Sequence, residues 1–452
     1  MADNIQLNIG TGGDILAADH IGAKKHQRVK VQYGIDGEAV DASATNPLPV
    51  TAQYSDGAHV DAFSRLRVSN PVTLFSSQNQ YDAEALQWET GTTGTGTAPS
   101  HSANTRMVAI GCGAGVGTAF IQSYEYVPYQ AGKSQQIFIT GLLDTAVASA
   151  TVDVGVFDAN NGIFYRQNGT SGLQFVRRTS TSGSIVNNAV DQADWNIDTL
   201  DGTGSTGITL DATKVFILVI DAQYLAMGRA RIGFDIDGKI VWAHEFLGAN
   251  VLTVPYMQTL SLPVQMLTTT ASGAKTAYFK CAAISSEGGL ESDLAYQFTT
   301  PEQTVTAANG SDTHIISLRP ATTFNSITNR IKLSLVSVNL LVTGNFPVKY
   351  KLCIGSTFSA SPTFAAVNAT HSGAEYSSAV GTVSSTGIEL DSDYVAASAQ
   401  RKASVNRNIS QRVTMTLDRA GAVRANGTLS VFVCGIGGTS ATRATLTYSE
   451  IR

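Results

Sequence analysis

Charge is scarce in this chain: only 14% of its 452 residues are Asp, Glu, Lys or Arg, against about a quarter in an ordinary soluble domain. The formal balance of −5 argues against a surface built to coat duplex DNA, because phosphate binding needs a basic face. The best candidate for a basic patch is Lys24, Lys25, Arg28 and Lys30, and four charges strung along an extended segment read as a solvated face before a phosphate-binding one. Cysteine is equally sparse. Cys112, Cys281, Cys353 and Cys434 stand far apart with no CxxC spacing, so neither a zinc knuckle nor a dithiol redox motif is indicated, and reduced thiols in apolar cores are expected. No apolar run approaches the roughly twenty residues that span a bilayer. The opening MADNIQLNIG carries no secretory-leader pattern, so synthesis in the cytoplasm with no membrane partner is expected. Helical periodicity is also missing: no segment sustains an apolar stripe over three turns, and residues 394–400 could form at most one short helix.

What is present is strand-forming. Runs rich in Val, Ile, Phe, Tyr and Thr recur between clusters of Gly, Asn, Asp and Ser, as at residues 136–140 (QIFIT), 152–157 (VDVGVF), 215–220 (VFILVI), 413–417 (VTMTL) and 429–433 (LSVFV). That rhythm predicts an all-β chain of sandwich type. The strongest single signal is residues 229–250 (RARIGFDIDGKIVWAHEFLGAN), an alternating hairpin around Asp237-Gly238, a pair suited to a turn with positive φ.

A chain of this length exceeds one ordinary core. The predicted organisation is an extended N-terminal β arm over residues 1–66, a jelly-roll-like β-sandwich over 67–298, and a second β-sandwich over 299–452. In the arm, the segment from His26 and Arg28 onward alternates, with Val29, Val31 and Tyr33 on one side. Asp36-Gly37 offers a turn, and Val40 begins a return strand. Pro47 and Pro49 then force an extended path. An isolated hairpin is unstable alone, so the arm is expected to dock on another subunit or on the next domain. Irregular connections are predicted at 91–105 and 179–207. The second sandwich is predicted to use strands at 314–318, 331–341, 348–354, 413–417, 429–433 and 444–448.

The chemical motifs resolve into structural roles. His244-Glu245 lacks the second histidine of a zincin helix and stands in a strand context. Gly132-Lys133-Ser134 lacks the earlier glycine of a phosphate loop, position 127 being valine. The glycine-rich residues 111–117 (GCGAGVG) never complete a dinucleotide fingerprint, and read as a flexible β-connection or a place where two backbones approach closely. Acidic clusters at 158–162, 198–202 and 235–238 do not complete a helical calcium loop, and turn chemistry accounts for them without an ion, with calcium in a β-loop geometry as the alternative. Glu89, Glu125, Asp194, Asp221 and Glu245 are available as a glycosidase pair, but no β-helical repeat accompanies them. Trp88, Trp195 and Trp242 read as core packing before a sugar platform. No catalytic, cofactor-binding or metal-ligating residue is assigned.

Residues 61–75 (DAFSRLRVSNPVTLF) and 78–88 (QNQYDAEALQW) resemble the opening of a family of tailed-bacteriophage virion structural proteins with a DAFGRLRVS-type signature, Ser64 standing where glycine is usual. Further matches follow in family order: 129–134 (YQAGKS), 195–202 (WNIDTLDG), 220–231 (IDAQYLAMGRAR), the hairpin with 243–250 (AHEFLGAN), 262–264 (LPV) and 286–289 (SEGG). The arm resembles the N-terminal piece of such proteins. More weakly, 345–348 (NFPV) and 387–395 (GIELDSDYV) resemble β-domains at the ends of phage structural proteins.

The resemblance marks Arg65, Arg67, Trp88, Trp195, Asp237, Gly238, His244 and Asn250 as motif residues, and His26, Arg28, Val29, Val31, Tyr33, Pro47 and Pro49 as the docking arm. It implies a non-enzymatic structural component of the virion without a cofactor and leaves its station on the particle open; a place in the tail, collar, baseplate or a fibre is expected. Its expected partners are copies of itself, as in a trimer or hexamer, and other virion proteins. A capsid decoration protein or head fibre is the alternative within the structural class. A receptor-binding, lectin-like adhesin with a host surface glycan as partner is the alternative in the binding class.

Overall fold

The structure, a computed structural model, describes residues 5–6, 15–16, 18–21, 24–27, 32–33, 40–42, 70–289, 295–379, 381–397, 400–404 and 414–452. The chain divides into two compact units, Met1–Val68 and Ser69–Arg452. In the first, Ile5–Gln6 pairs with Ile15–Leu16, Ala18–Ile21 with Lys24–Gln27, and Gln32–Tyr33 with Val40–Asp41. His26 stands opposite Asp19, and Tyr33 opposite Val40; the turn expected at Asp36-Gly37 lies outside the described residues. Arg28, Val29, Lys30, Val31, Pro47, Pro49, Arg65 and Arg67 lie outside the described residues.

The second unit is all-β and holds two hydrophobic cores among its described residues. The first core belongs to a curled antiparallel, jelly-roll-like sandwich made from one 13-stranded sheet. Its order runs Val186–Asp191, Leu173–Thr179, Gly162–Asn168, Ala150–Phe157, Val264–Thr270, Val108–Ser123, Lys275–Glu287, Ser134–Leu142, Val215–Ala222, Ala230–Ile236, Lys239–Phe246. Pro71–Ser77 pairs with Lys275–Glu287, and Trp88–His101 with Val108–Ser123. Strand twist and alternation curl this sheet until its two ends face each other. Tyr165 and Phe175 from one end meet Phe216 and Phe234 from the other at ring separations of 5.2 to 6.0 Å. Aromatic pairs of this kind add about 0.5–1.5 kcal/mol each beyond the area they bury.

The second core lies between two further sheets. One contains Tyr296–Thr299, Gln303–Ala307, Ser440–Ile451, Lys332–Val342 and Gln400–Ser404; the other contains Thr363–Ala366, Ala374–Ala379, Thr313–Pro320, Leu429–Gly435, Val348–Ile354 and Ile388–Val395. Leu333, Leu335 and Leu446 from the first sheet share a core with Ile316, Tyr350 and Val431 from the second.

Four expectations are corrected. The predicted loop 91–105 is instead largely strand, Trp88–His101. Its threonines favour a pleated surface, and its glycines let two backbones close together: Gly94 lies opposite Gly117 and Gly96 opposite Cys112. A methyl group on Gly117 would stand 2.7 Å from the Thr95 nitrogen, and one on Gly94 would stand 2.1 Å from the Val116 carbonyl oxygen. The glycine-rich 111–117 segment is the other half of this ribbon, the close approach of backbones that composition allowed. Second, residues 179–207 include the strand Val186–Asp191. Third, Tyr394 and Val395 end a strand, and Gln400 starts another, because pairing with Val348–Ile354 captures the segment. Fourth, residues 414–417 form isolated bridges, Met415 to Leu333 and Leu417 to Val423, as the chain is held by Arg424 rather than by a ladder. No helix among the described residues is long and apolar enough to cross a membrane.

Candidate functional site

The densest polar chemistry lies at the seam between the two sandwiches. Strand Val108–Ser123 brings Phe120 to this edge, and Tyr124, Glu125 and Tyr126 follow directly after it. The second sandwich supplies Arg330, Arg419 and Arg424. Asp418 shapes the loop that holds the last two: its Oδ1 accepts the Ala422 N–H at 2.7 Å, while its own N–H donates to the Ala422 carbonyl at 2.8 Å.

Each guanidinium lies over one ring: Arg330 over Tyr126 at 4.2 Å, Arg419 over Phe120 at 4.2 Å, and Arg424 over Tyr124 at 4.3 Å. The planar cation is held by the negative face of the ring, an attraction that strengthens as water is excluded. Hydrogen bonds lock the arrangement. Arg424 donates to the Leu86 carbonyl at 3.0 Å and to the Thr414 carbonyl, and Arg330 donates to the carbonyls of Asp418 and Arg419 at 2.6 and 3.0 Å. The Arg419 N–H donates to Glu89 Oε2 at 2.6 Å, and Lys332 Nζ pairs with Glu125 at 2.5 Å. With its amide turned so that both ends are satisfied, Gln265 donates to the Phe157 carbonyl and accepts from Arg419 Nη2 at 3.2 Å. Burial raises the Glu89 carboxyl above the usual carboxylate range, against the opposing Arg419 N–H bond. Burial likewise raises the Tyr126 hydroxyl, with Arg330 opposing.

A groove of about 860 Å³ opens along this seam, with Phe120, Tyr126, Arg330, Arg419, Asn160 and Thr328 among its lining residues. The arginines and tyrosines of the seam went unmarked in the sequence. The only local signal was Tyr124-Glu125-Tyr126, an alternation that shows a two-faced strand end but not its partners.

The motif residues take structural positions. Trp88 is buried, donates to Ser77 Oγ at 2.6 Å and packs edge-on against Phe75 and Phe279. Trp195 is buried and stacks on Phe175 at 4.1 Å. Trp242 differs: it is half-buried, with Arg231 lying over it at 4.4 Å. Asp237 and Gly238 have φ of 53° and 79°, the left-handed pair that a two-residue hairpin turn requires. Asn250 has φ of 60° and is exposed. His244 is buried, its Nδ1 accepts the Asn196 N–H at 3.2 Å, and burial pushes its pKa down to about 4. The ring is therefore neutral and holds a strand edge.

Distant motifs meet in space. Residues 196–198 run along the 243–245 edge: Ile197 and Asp198 N–H groups donate to the Ala243 carbonyl at 3.0 Å, and the Asn196 side chain bonds both backbone groups of Glu245. The 129–134 segment touches two others, since Tyr129 accepts the Leu225 N–H at 3.1 Å and Lys133 Nζ donates to the Gly289 carbonyl at 3.0 Å. A smaller cleft of about 320 Å³ is lined by residues from these segments, including Ser134, Asp221, Arg231 and Glu287.

Of the five carboxylates considered as catalytic, Asp194 is exposed and the other four are engaged. Glu125 pairs with Lys332, Asp221 with Arg231, Glu245 with Arg229 at 3.6 Å, and Glu89 with the Arg419 N–H. The acidic turns close on themselves: Asp158 accepts the N–H groups of Asn160 and Asn161, Asp198 those of Leu200 and Thr206, and Asp235 that of Gly238. Among the described residues no group of three His, Cys, Asp or Glu side chains is placed to hold a metal.

No protein-family model and no curated protein sequence matches the chain. Solved structures similar to part of it include a carbohydrate esterase of the Shiga toxin-encoding bacteriophage phi24B, at 11% identity and TM-score 0.29, covering 48% of this chain and 99% of that one. A Bacillus licheniformis β-glucanase has 12% identity and TM-score 0.29, covering 46% and 96%. The CBM2 module of the evolved Dit of Lactobacillus casei phage J-1 has 6% identity and TM-score 0.31, covering 50% and 100%. At TM-scores this low, none of these likenesses carries an argument about the chemistry of this chain.

Proposed function

We propose that this chain is a non-enzymatic structural component of a tailed bacteriophage particle, in the tail, collar, baseplate or a fibre, docked through residues 1–66 and assembled with copies of itself. The observation that carries this reading is the division of the chain at Val68/Ser69. Behind that boundary, two sandwiches are tied by three arginine–ring stacks and by the Lys332–Glu125 pair. In front of it, among the described residues, stand pairings of two to four residues per strand, a scale that is marginal without a partner surface. The sequence likeness to virion proteins spans the same arm and the first sandwich.

Deleting residues 1–60 tests the reading. The truncated chain is expected to fold, because the cores of the second unit lie entirely beyond the deletion, but to be missing from purified particles by mass spectrometry. Normal incorporation refutes arm docking. A copy number that matches the capsid lattice instead of the tail places the chain as head decoration and overturns the proposed station.

A further inference from the structure

We propose that the groove between the two sandwiches is a binding site for a neutral saccharide, with Tyr126 in its wall. The position fits a ligand site, since such clefts favour domain interfaces and measure roughly 300–1,000 Å³, and this one is about 860 Å³. Tyr126 is only 5% exposed, and its hydroxyl is buried with no hydrogen-bond partner. A buried polar atom left unpaired costs free energy, and a ligand hydroxyl entering the groove would remove that cost.

Charge selects the ligand class. Arg330 and Arg419 are balanced by Glu89 and Asp158 around the same groove, so no net field draws an anion. The arginines are also committed: Arg330 bonds two backbone carbonyls through its terminal nitrogens, and Arg419 bonds the Gln265 amide. A bidentate grip on phosphate or carboxylate needs a guanidinium fork that is free. Purely apolar ligands are disfavoured as well, because the Phe120 and Tyr126 rings each carry a guanidinium. What remains among the lining residues is a set of neutral donors and acceptors: the Tyr126 hydroxyl, the Asn160 amide and the Thr328 hydroxyl. A polyhydroxylated ring, each hydroxyl of which both donates and accepts, matches such a set. This site is independent of where the chain stands on a particle.

The experiment is saturation-transfer NMR on the full chain with short linear oligomers of glucose, mannose, galactose and N-acetylglucosamine, and with inorganic phosphate and a polyuronate as charged comparators. At least one neutral oligomer is expected to bind. Tyr126→Phe is expected to weaken it about tenfold, the loss of one hydrogen bond to a buried group, while leaving thermal stability equal or higher. Thr328→Trp, at an exposed groove position, is expected to abolish binding by filling the space. Failure of every neutral oligomer to bind overturns the proposal, as does binding only of phosphate or polyuronate. Equal binding by wild type and Thr328→Trp also overturns it, since the ligand would then sit elsewhere. A Tyr126→Phe variant that melts lower than wild type overturns the unpaired-hydroxyl argument.

Discussion

Replacing Arg424 by alanine isolates what holds the two sandwiches together. Arg424 is 7% exposed, bonds the carbonyls of Leu86 and Thr414, and lies over Tyr124 at 4.3 Å. Two hydrogen bonds from a charged donor contribute about 1.5–3 kcal/mol each, and a desolvated cation over a ring contributes about 2 kcal/mol. Against these stand about 2 kcal/mol of side-chain entropy and a buried Nε that finds no acceptor, costing about 1–3 kcal/mol. The net loss on truncation is about 3 kcal/mol, most of it across the seam, because the Leu86 bond and the Tyr124 stack both reach the first sandwich. For a domain of 150–250 residues that corresponds to roughly 6–12 °C in melting temperature. Differential scanning calorimetry is expected to show the second sandwich melting separately and earlier in Arg424→Ala, with proteolysis entering first near residues 414–424. Arg443→Ala is the control. Its pair with Glu302 at 2.8 Å is about half exposed on both sides, 48% and 51%, and such a pair contributes about 0–1 kcal/mol. If Arg424→Ala costs no more than Arg443→Ala, or the two sandwiches still melt as one at an unchanged temperature, the seam does not act as argued.

Two further outcomes follow from buried histidines and from the hairpin turn. Burial pushes His244 and His314 down to about 4 from 6.5. Between those values the unfolded chain binds protons that the folded chain refuses, so stability is full above about pH 6.5 and falls as pH drops toward 4, by about 1.4 kcal/mol per pH unit for each histidine. Urea midpoints across this window, with imidazole NMR shifts, check it; a flat profile or an early-titrating ring refutes it. Gly238→Ala places a side chain at φ of 79°, where nothing lies within 4 Å of the added carbon. The cost is therefore conformational alone, about 1–2 kcal/mol by urea unfolding, and an unchanged midpoint contradicts the turn assignment.

Much of the fold was legible because strand alternation is local. Residues 136–140, 152–157, 215–220, 348–354 and 429–433 all fall within strands. The 229–250 hairpin turns at Asp237-Gly238 with Ile236 opposite Lys239. Trp88, Trp195 and His244 are buried. The misread segments share one cause: their local composition was neutral or misleading, and their state depends on a distant partner. Residues 91–97 are threonine and glycine, which read as loop until another glycine-rich segment pairs with them. Residues 414–417 look like a strand, yet contact Leu333 and Val423 only through single bridges.

What the sequence determined by itself was the class of structure and the positions of most strands, because a two-residue apolar period and left-handed turn residues act over a few neighbours. What only the tertiary structure decided was the seam. Arg330, Arg419 and Arg424 lie more than two hundred residues along the chain from Phe120, Tyr124 and Tyr126, and no local pattern distinguishes a surface arginine from one that closes over a ring. Long-range packing makes that choice, since the attraction of a guanidinium for an aromatic face becomes large only where two folded bodies exclude the water between them.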